Sequence, residues 1–140
     1  MKECPQCGAI HNGHRWIPEP DEKVSSRLAG KTVKKSTCPG CRRMEKGQVE
    51  GVVTLKGNFL ARHREEIKNV IKRVEKNRHG RNVTSQILRS SEENGEIIIE
   101  TCDEHLAERI GKELHKAFKG DLDMKWQEKD TFVRVLWQRD

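Results

Sequence analysis

Tyrosine is absent from this 140-residue chain, and three Phe and three Trp supply its aromatic content of 4%. With only 33% hydrophobic residues, one large oily core is not expected. No apolar run approaches the roughly 20 residues that cross a bilayer, which excludes a helical membrane span. Behind the opening Met1-Lys2-Glu3-Cys4 there is no apolar segment, so no secretory signal is expected and a cytoplasmic protein is. Catalytic patterns are missing too. There is no Gly-rich phosphate loop, no nucleophile elbow and no carboxylate pair with nameable partners, so no catalytic residue is assigned and the expectation is a non-enzyme. His63, at the edge of an apolar stripe, reads as a packed side chain. No internal repeat or low-complexity tract appears.

What the chain does contain is cysteine in a pattern. Four of its five cysteines form two Cys-x-x-Cys pairs, Cys4-Pro5-Gln6-Cys7-Gly8 and Cys38-Pro39-Gly40-Cys41. In an intracellular protein this spacing reads as a tetrahedral thiolate site for one structural Zn2+. Two intervening residues let both sulfurs of a tight turn face one ion at about 2.3 Å. Pro lies inside each turn, and Gly8 or Gly40 provides backbone freedom. A thioredoxin-like redox pair would need one such motif beside a βαβ unit, and disulfides would need an oxidising compartment. His11 and His14 are possible further ligands, but four thiolates already fill the shell. A segment of about 48 residues cannot fold on its own core, and zinc, worth about 10–16 kcal/mol in such peptides, supplies what is missing. Residues Trp16–Thr37 then form a hairpin or ordered loop. Cys102 stands alone between an apolar strand and a helix start. It reads as a buried inert thiol, with activation by the helix N-terminus as the alternative.

Beyond the zinc module, residues 1–48, the pattern predicts an α+β domain over residues 49–140. Val49–Lys56 is β-rich, Gly57-Asn58 breaks it, and Asn58 suits an N-cap. Leu60, Ile67, Val70, Ile71 and Val74 recur at helical spacing in one helix ending near Arg78, before His79-Gly80. Two strands follow, Val83–Ser90 and Glu96–Thr101, joined by an Asn94-Gly95 hairpin turn. Thr101-Cys102-Asp103-Glu104 resembles a capping box for a second helix carrying Leu106, Ala107, Ile110, Leu114, Ala117 and Phe118, with Gly120 beyond its end. Strands Leu122–Gln127 and Thr131–Gln138 flank a turn at Lys129-Asp130. The order β-α-β-β-α-β-β implies an open sheet covered by two helices, close to a split βαβ arrangement. Trp126 and Trp137 share strand faces with apolar residues and read as core. Trp16 reads as packing over the first knuckle, with base stacking as the alternative.

The formal net charge is +6, and it is segregated. Residues 1–48 carry +5 and residues 56–81 carry +6, whereas residues 82–140 carry −4. On the first helix Arg64, Lys68, Lys72 and Lys76 follow at i,i+4 spacing, a like-charge ridge flanked by Arg62 and Arg73 and opposite the apolar stripe. Glu65 and Glu75 can offset part of the repulsion through Lys68 and Lys72. Arg78 and Arg81 extend the charge, and Lys34-Lys35 with Arg42-Arg43 flank the zinc knuckles. These twelve side chains are the candidate RNA-binding residues, suited to phosphate contacts rather than base reading, since no aromatic motif sits on the strands. A merely solvated helix face is the alternative for the ridge taken alone. The second helix mixes Glu108, Arg109, Lys112 and Glu113 and reads as ordinary surface.

The same residues resemble the nonsense-mediated-decay protein family, whose archaeal and eukaryotic members are large-ribosomal-subunit export or maturation adaptors. The resemblance is carried by Cys4-Pro5-Gln6-Cys7-Gly8 with Arg15-Trp16, and by Cys38-Pro39-Gly40-Cys41-Arg42-Arg43 with Gly47. Glu50-Gly51-Val52-Val53-Thr54-Leu55-Lys56-Gly57 and the helix Leu106-Ala107-Glu108-Arg109-Ile110-Gly111-Lys112-Glu113-Leu114 continue it. Family adaptors carry further Cys-x-x-Cys pairs and additional domains, so this chain looks like a short bacterial or archaeal relative with a single zinc site. The resemblance implies large-subunit rRNA or a ribosomal particle as partner; it supplies no enzymatic activity to carry over and does not extend to recruitment of an export receptor. A zinc-ribbon protein–protein adaptor without RNA contact is the alternative; neither reading involves a membrane.

Overall fold

A computed structural model describes residues 1–21, 33–127, 129 and 131–140. The fold is mixed α+β, with two sheets and four helices among those residues. The first sheet is small: β1 (Lys2–Glu3), β2 (Ile10–His11), β3 (Trp16–Ile17) and β4 (Lys34–Lys35), in the order β3-β2-β1-β4. Strands β3 and β4 lie on opposite edges and do not pair, so the ends of the expected Trp16–Thr37 hairpin are not partners. Residues 22–32 of that expectation lie outside the described residues. Helix α1 (Pro39–Lys46) follows.

The second sheet is built from β5 (Gly51–Lys56), β6 (Ile87–Glu93), β7 (Glu96–Thr101), β8 (Asp121–Gln127) and β9 (Phe132–Gln138), in the order β6-β7-β5-β9-β8. β9 runs parallel to β5, pairing Val53 with Val135 and Leu55 with Trp137. A plain split βαβ sheet would place the strand that follows its second helix, here β8, beside β5. Here the second strand of the last hairpin takes that place, and side-chain chemistry explains why. Val133, Val135 and Trp137 of β9 are buried, whereas β8 turns Asp121, Asp123 and Lys125 to solvent. The apolar strand goes inside and the charged one protects the edge. β6, with exposed Arg89–Glu93 and a register shift between Ile87 and Arg89, protects the other edge.

Helices α2 (Asn58–Arg62), α3 (Arg64–His79) and α4 (Glu104–Phe118) contribute to one core with the sheet. That core joins Val53, Leu55, Ile97, Ile99, Val133 and Trp137 to Leu60, Ile67, Ile71, Ile110 and Leu114. Trp137, fully buried, donates its indole N–H to the Lys119 carbonyl at 2.7 Å. Trp126 packs against the same core, so both strand tryptophans sit where their apolar neighbours place them.

Several boundaries differ from the sequence expectations. The first helix is two helices, broken at His63 (φ −125°, ψ 29°), which stacks on Phe59 at 4.1 Å and hydrogen-bonds Glu66 at 3.1 Å. Asn58 is not the N-cap. Gly57 holds that position at φ +113°, and the free N–H groups of Asn58 and Phe59 find Asp140 Oδ1 and the Arg139 carbonyl. A distant segment of chain thus does the work of a capping side chain. The strand expected at Val83 begins only at Ile87, because Val83 is drawn into the cysteine cluster and Ser85 into a buried bond with Asp103. Asp103, not Thr101, caps α4 by accepting from the His105 N–H. Asn94 and Gly95 both take positive φ (52° and 78°), as a tight hairpin turn requires. In the β8–β9 turn Lys129 is at φ 58°, and Asp130 lies outside the described residues.

Trp137→Ala should lower the unfolding free energy by about 3–5 kcal/mol in urea denaturation at constant metal, with Trp126→Ala costing clearly less. Equal costs would place the centre of the core elsewhere.

Candidate metal centre and basic surface

In the first knuckle, the Cys4 N–H donates to the Ala9 carbonyl at 2.8 Å and the Gly8 N–H to the Cys4 carbonyl at 3.0 Å. Gly8 closes the turn at φ +80°. The second knuckle is built differently. Cys38 is the N-cap of α1, Pro39 starts the helix, and the Cys41 N–H points at the Cys38 sulfur at 3.4 Å. Gly40 is helical, and its value lies in close approach rather than backbone freedom. A Cβ there would lie 1.9 Å from the Val83 carbonyl oxygen.

The four sulfurs of Cys4, Cys7, Cys38 and Cys41 lie within 4.8 Å of one another. Cys4 and Cys41 are 3.7 Å apart, Cys7 and Cys38 3.6 Å. A tetrahedron with Zn–S of about 2.3 Å has edges of about 3.8 Å, so the donor set fits one zinc ion. These separations are far beyond a disulfide's roughly 2.05 Å, and all five cysteines are free. His11 and His14 do not belong to the cluster. The His11 ring accepts from the Gly13 N–H at 3.1 Å and meets Trp16 edge-on at 5.3 Å. Trp16 packs against the cysteine cluster, as the sequence suggested.

The thiols are electrostatically unequal. Burial works to raise Cys4, but backbone hydrogen bonds from Cys38, Cys7 and Gln6 prevail and bring it down to about 6. Burial and the neighbouring thiols push Cys7 up to about 11, and burial with the other three thiols pushes Cys41 higher still. Such packing resists accumulating negative charge unless a dication sits at its centre.

The centre is held against the second sheet's domain. Val83 completes the cysteine cluster, Arg43 donates to the Cys102 carbonyl at 2.7 Å, and the Cys102 thiol lies 3.5 Å from the Met44 sulfur. Cys102 is fully buried, and burial raises its pKa, as an inert thiol requires.

The twelve basic candidates divide. Arg64 and Lys68 both pair with Glu92 of β6, Lys68 at 2.7 Å, and Lys35 pairs with Glu3. The Lys68 hydrogen bond, then the Arg64 charge, hold Glu92 below the usual carboxylate range. Arg43 serves the seam. Lys34, Arg42, Arg62, Lys72, Arg73, Lys76 and Arg81 are exposed and Arg78 half-buried, and none of these eight has an ion-pair partner among the described residues. The expected relief from Glu75 does not reach Lys72. Its carboxylate accepts instead from the Ile87 N–H at 2.6 Å, anchoring the start of β6.

One residue that the sequence assigns to ordinary surface joins the basic candidates. Arg109 of α4 lines a cleft of about 580 Å³ with Arg73, Asn77, Arg78 and Arg81. Only the packing of α4 on α3 brings it there, and no local pattern could have revealed it.

No protein-family model matches the chain, and neither a curated protein nor a solved structure matches it. The cysteine geometry therefore stands on its own: this is a zinc-compatible four-thiolate cluster.

Native mass spectrometry should show one bound zinc, lost in Cys38→Ser. Metal removal should raise hydrogen exchange across residues 2–11 and 34–46, since the lost binding free energy is of the order of 10–16 kcal/mol. A folded, metal-free protein with unchanged exchange would refute the assignment.

Proposed function

We propose that the protein binds RNA on a ribosomal particle, with large-subunit rRNA as the partner and the zinc module and α3 as the contacting surface. The observation that supports it best is the set of eight basic side chains without acidic partners. They gather on α3, its C-terminal turn and the zinc module, with Arg62 at the end of α2, while residues 82–140 are net acidic at −4. A solvated helix would place carboxylates beside its cations, as α4 does with Lys112–Glu108 and Arg109–Glu113. On the exposed ridge of α3, Lys72 and Lys76 lack that neutralisation. Phosphates supply it, and the released counterions make such binding salt-dependent. The zinc cluster has a structural role, holding α1 and the Arg81–Gln86 loop in place. The family resemblance points to the large subunit rather than to free RNA.

In sucrose gradients at low salt the protein should travel with large subunits. With six or more phosphate contacts, affinity should fall about a thousandfold between 50 and 200 mM salt. Lys72→Glu with Lys76→Glu should release it at lower salt than the wild type. Protein that stays at the top of the gradient at every salt concentration would refute the ribosome reading. Capture that survives RNase and ignores both substitutions would favour the protein-adaptor reading.

A further inference from the structure

The cleft between α3 and α4 differs in kind from the open ridge beside it. Four arginines line the cleft, Arg73, Arg78, Arg81 and Arg109, against the single carboxylate of Glu113. That carboxylate is already engaged by Arg109 at 3.3 Å. Among the described residues, Arg73, Arg78 and Arg81 have no ion pair and the buried Nε of Arg78 has no hydrogen-bond acceptor. Leaving a buried charged donor without an acceptor is costly, and assembling like charges in a concave site raises that cost. Both costs are relieved by an anion that offers several oxygens. The sequence places these groups deliberately: Arg73, Asn77 and Arg81 follow at i,i+4 spacing, Arg78 stands beside them, and Arg109 approaches from the facing helix. Arginine, rather than lysine, suits the task because its planar fork meets two phosphate oxygens at once. The volume, about 580 Å³, is in the range of small-ligand pockets.

We infer that this cleft is a phosphate seat, in which Arg73 and Arg78 of α3, Arg81 just beyond it and Arg109 of α4 grip the phosphate group of a bound ligand. The inference rests on the RNA reading only for the source of that phosphate, the RNA backbone. A phosphorylated small molecule shares the chemistry.

The test uses the full-length, zinc-loaded protein with two probes. Inorganic pyrophosphate, added at constant ionic strength against chloride, should shift the Nε–H NMR signals of the four arginines. Arg81→Gln and Arg109→Gln should each weaken that binding about tenfold, as loss of a charge-assisted hydrogen bond implies. Arg109→Lys, which keeps the charge and loses the fork, should fall between. Lys125→Gln, on the opposite face of the sheet, should change nothing. Arg81 is exposed, so its substitution leaves the fold intact if Arg109→Gln does not. In the second arm, fluorescence anisotropy with an RNA oligonucleotide should show the same order of variants, with the salt slope reduced by about one. If RNA binds the wild type and both cleft variants match Lys125→Gln, the phosphate seat is overturned while RNA binding stands. If pyrophosphate binds the cleft and RNA does not bind at all, the seat stands for a small phosphorylated ligand and the RNA reading falls. If neither probe binds, both fall.

Discussion

The convergence of four thiols on one point is the constraint from which the N-terminal architecture follows. Among the described residues, the buried cluster around them contains three of the cysteines themselves, Ala9 and Val83, with Trp16 packed against it. Val83 is borrowed from the loop after α3. Apolar burial on that scale is small against the conformational entropy of the segment, a gap that a metal ion bound by the four thiols would close. The same requirement explains the unlike knuckles. One is a glycine-closed turn whose backbone stabilises a thiolate. The other is the first turn of a helix, where the dipole favours negative charge.

Because Val83 and Gly40 meet at the seam, the metal centre and the second sheet share structure rather than sit as beads on a string. Arg43 spends its charge on the Cys102 carbonyl, and Asp103 both caps α4 and receives the Ser85 hydroxyl. These bonds fix the loop that carries Arg81, and so the mouth of the arginine cleft. Metal, seam and cleft lie along one continuous path. The charge is divided along the helix: pairs such as Arg64 and Lys68 with Glu92 knit α3 to the β6 edge, while the cations further along have no ion pair among the described residues.

Much of this was legible in the residues. Cys-x-x-Cys spacing is a local property, and so are the Asn94-Gly95 turn, the alternation of Val133, Val135 and Trp137, and the helical recurrence of Ile67, Ile71 and Val74. What escaped was set by distant contacts. Asn58 looks like a cap, but the Arg139–Asp140 segment arrives to satisfy those N–H groups. Val83 looks like a strand residue, but a neighbouring module claims it. Glu75 looks like a partner for Lys72, but the β6 backbone competes for it. Arg109 carries no local mark of its role, since it is the crossing of two helices that puts it among the other arginines.

The place of β9 in the sheet bears on how the molecule comes into being. This strand occupies an interior position and is paired to β5 across a separation of 82 residues, Gly51 to Val133. At a ribosomal rate of about 5–20 residues per second, roughly 4–16 s of synthesis separate the two halves of that pairing. During that interval Val53 and Leu55 have no β9 to lie against, and the sheet is open along one side of β5. All four cysteines are synthesised before β5, and well before β9. An ion bound by them would organise the N-terminal segment while the rest of the chain is still arriving, a fixed point onto which a slow, non-local sheet later closes.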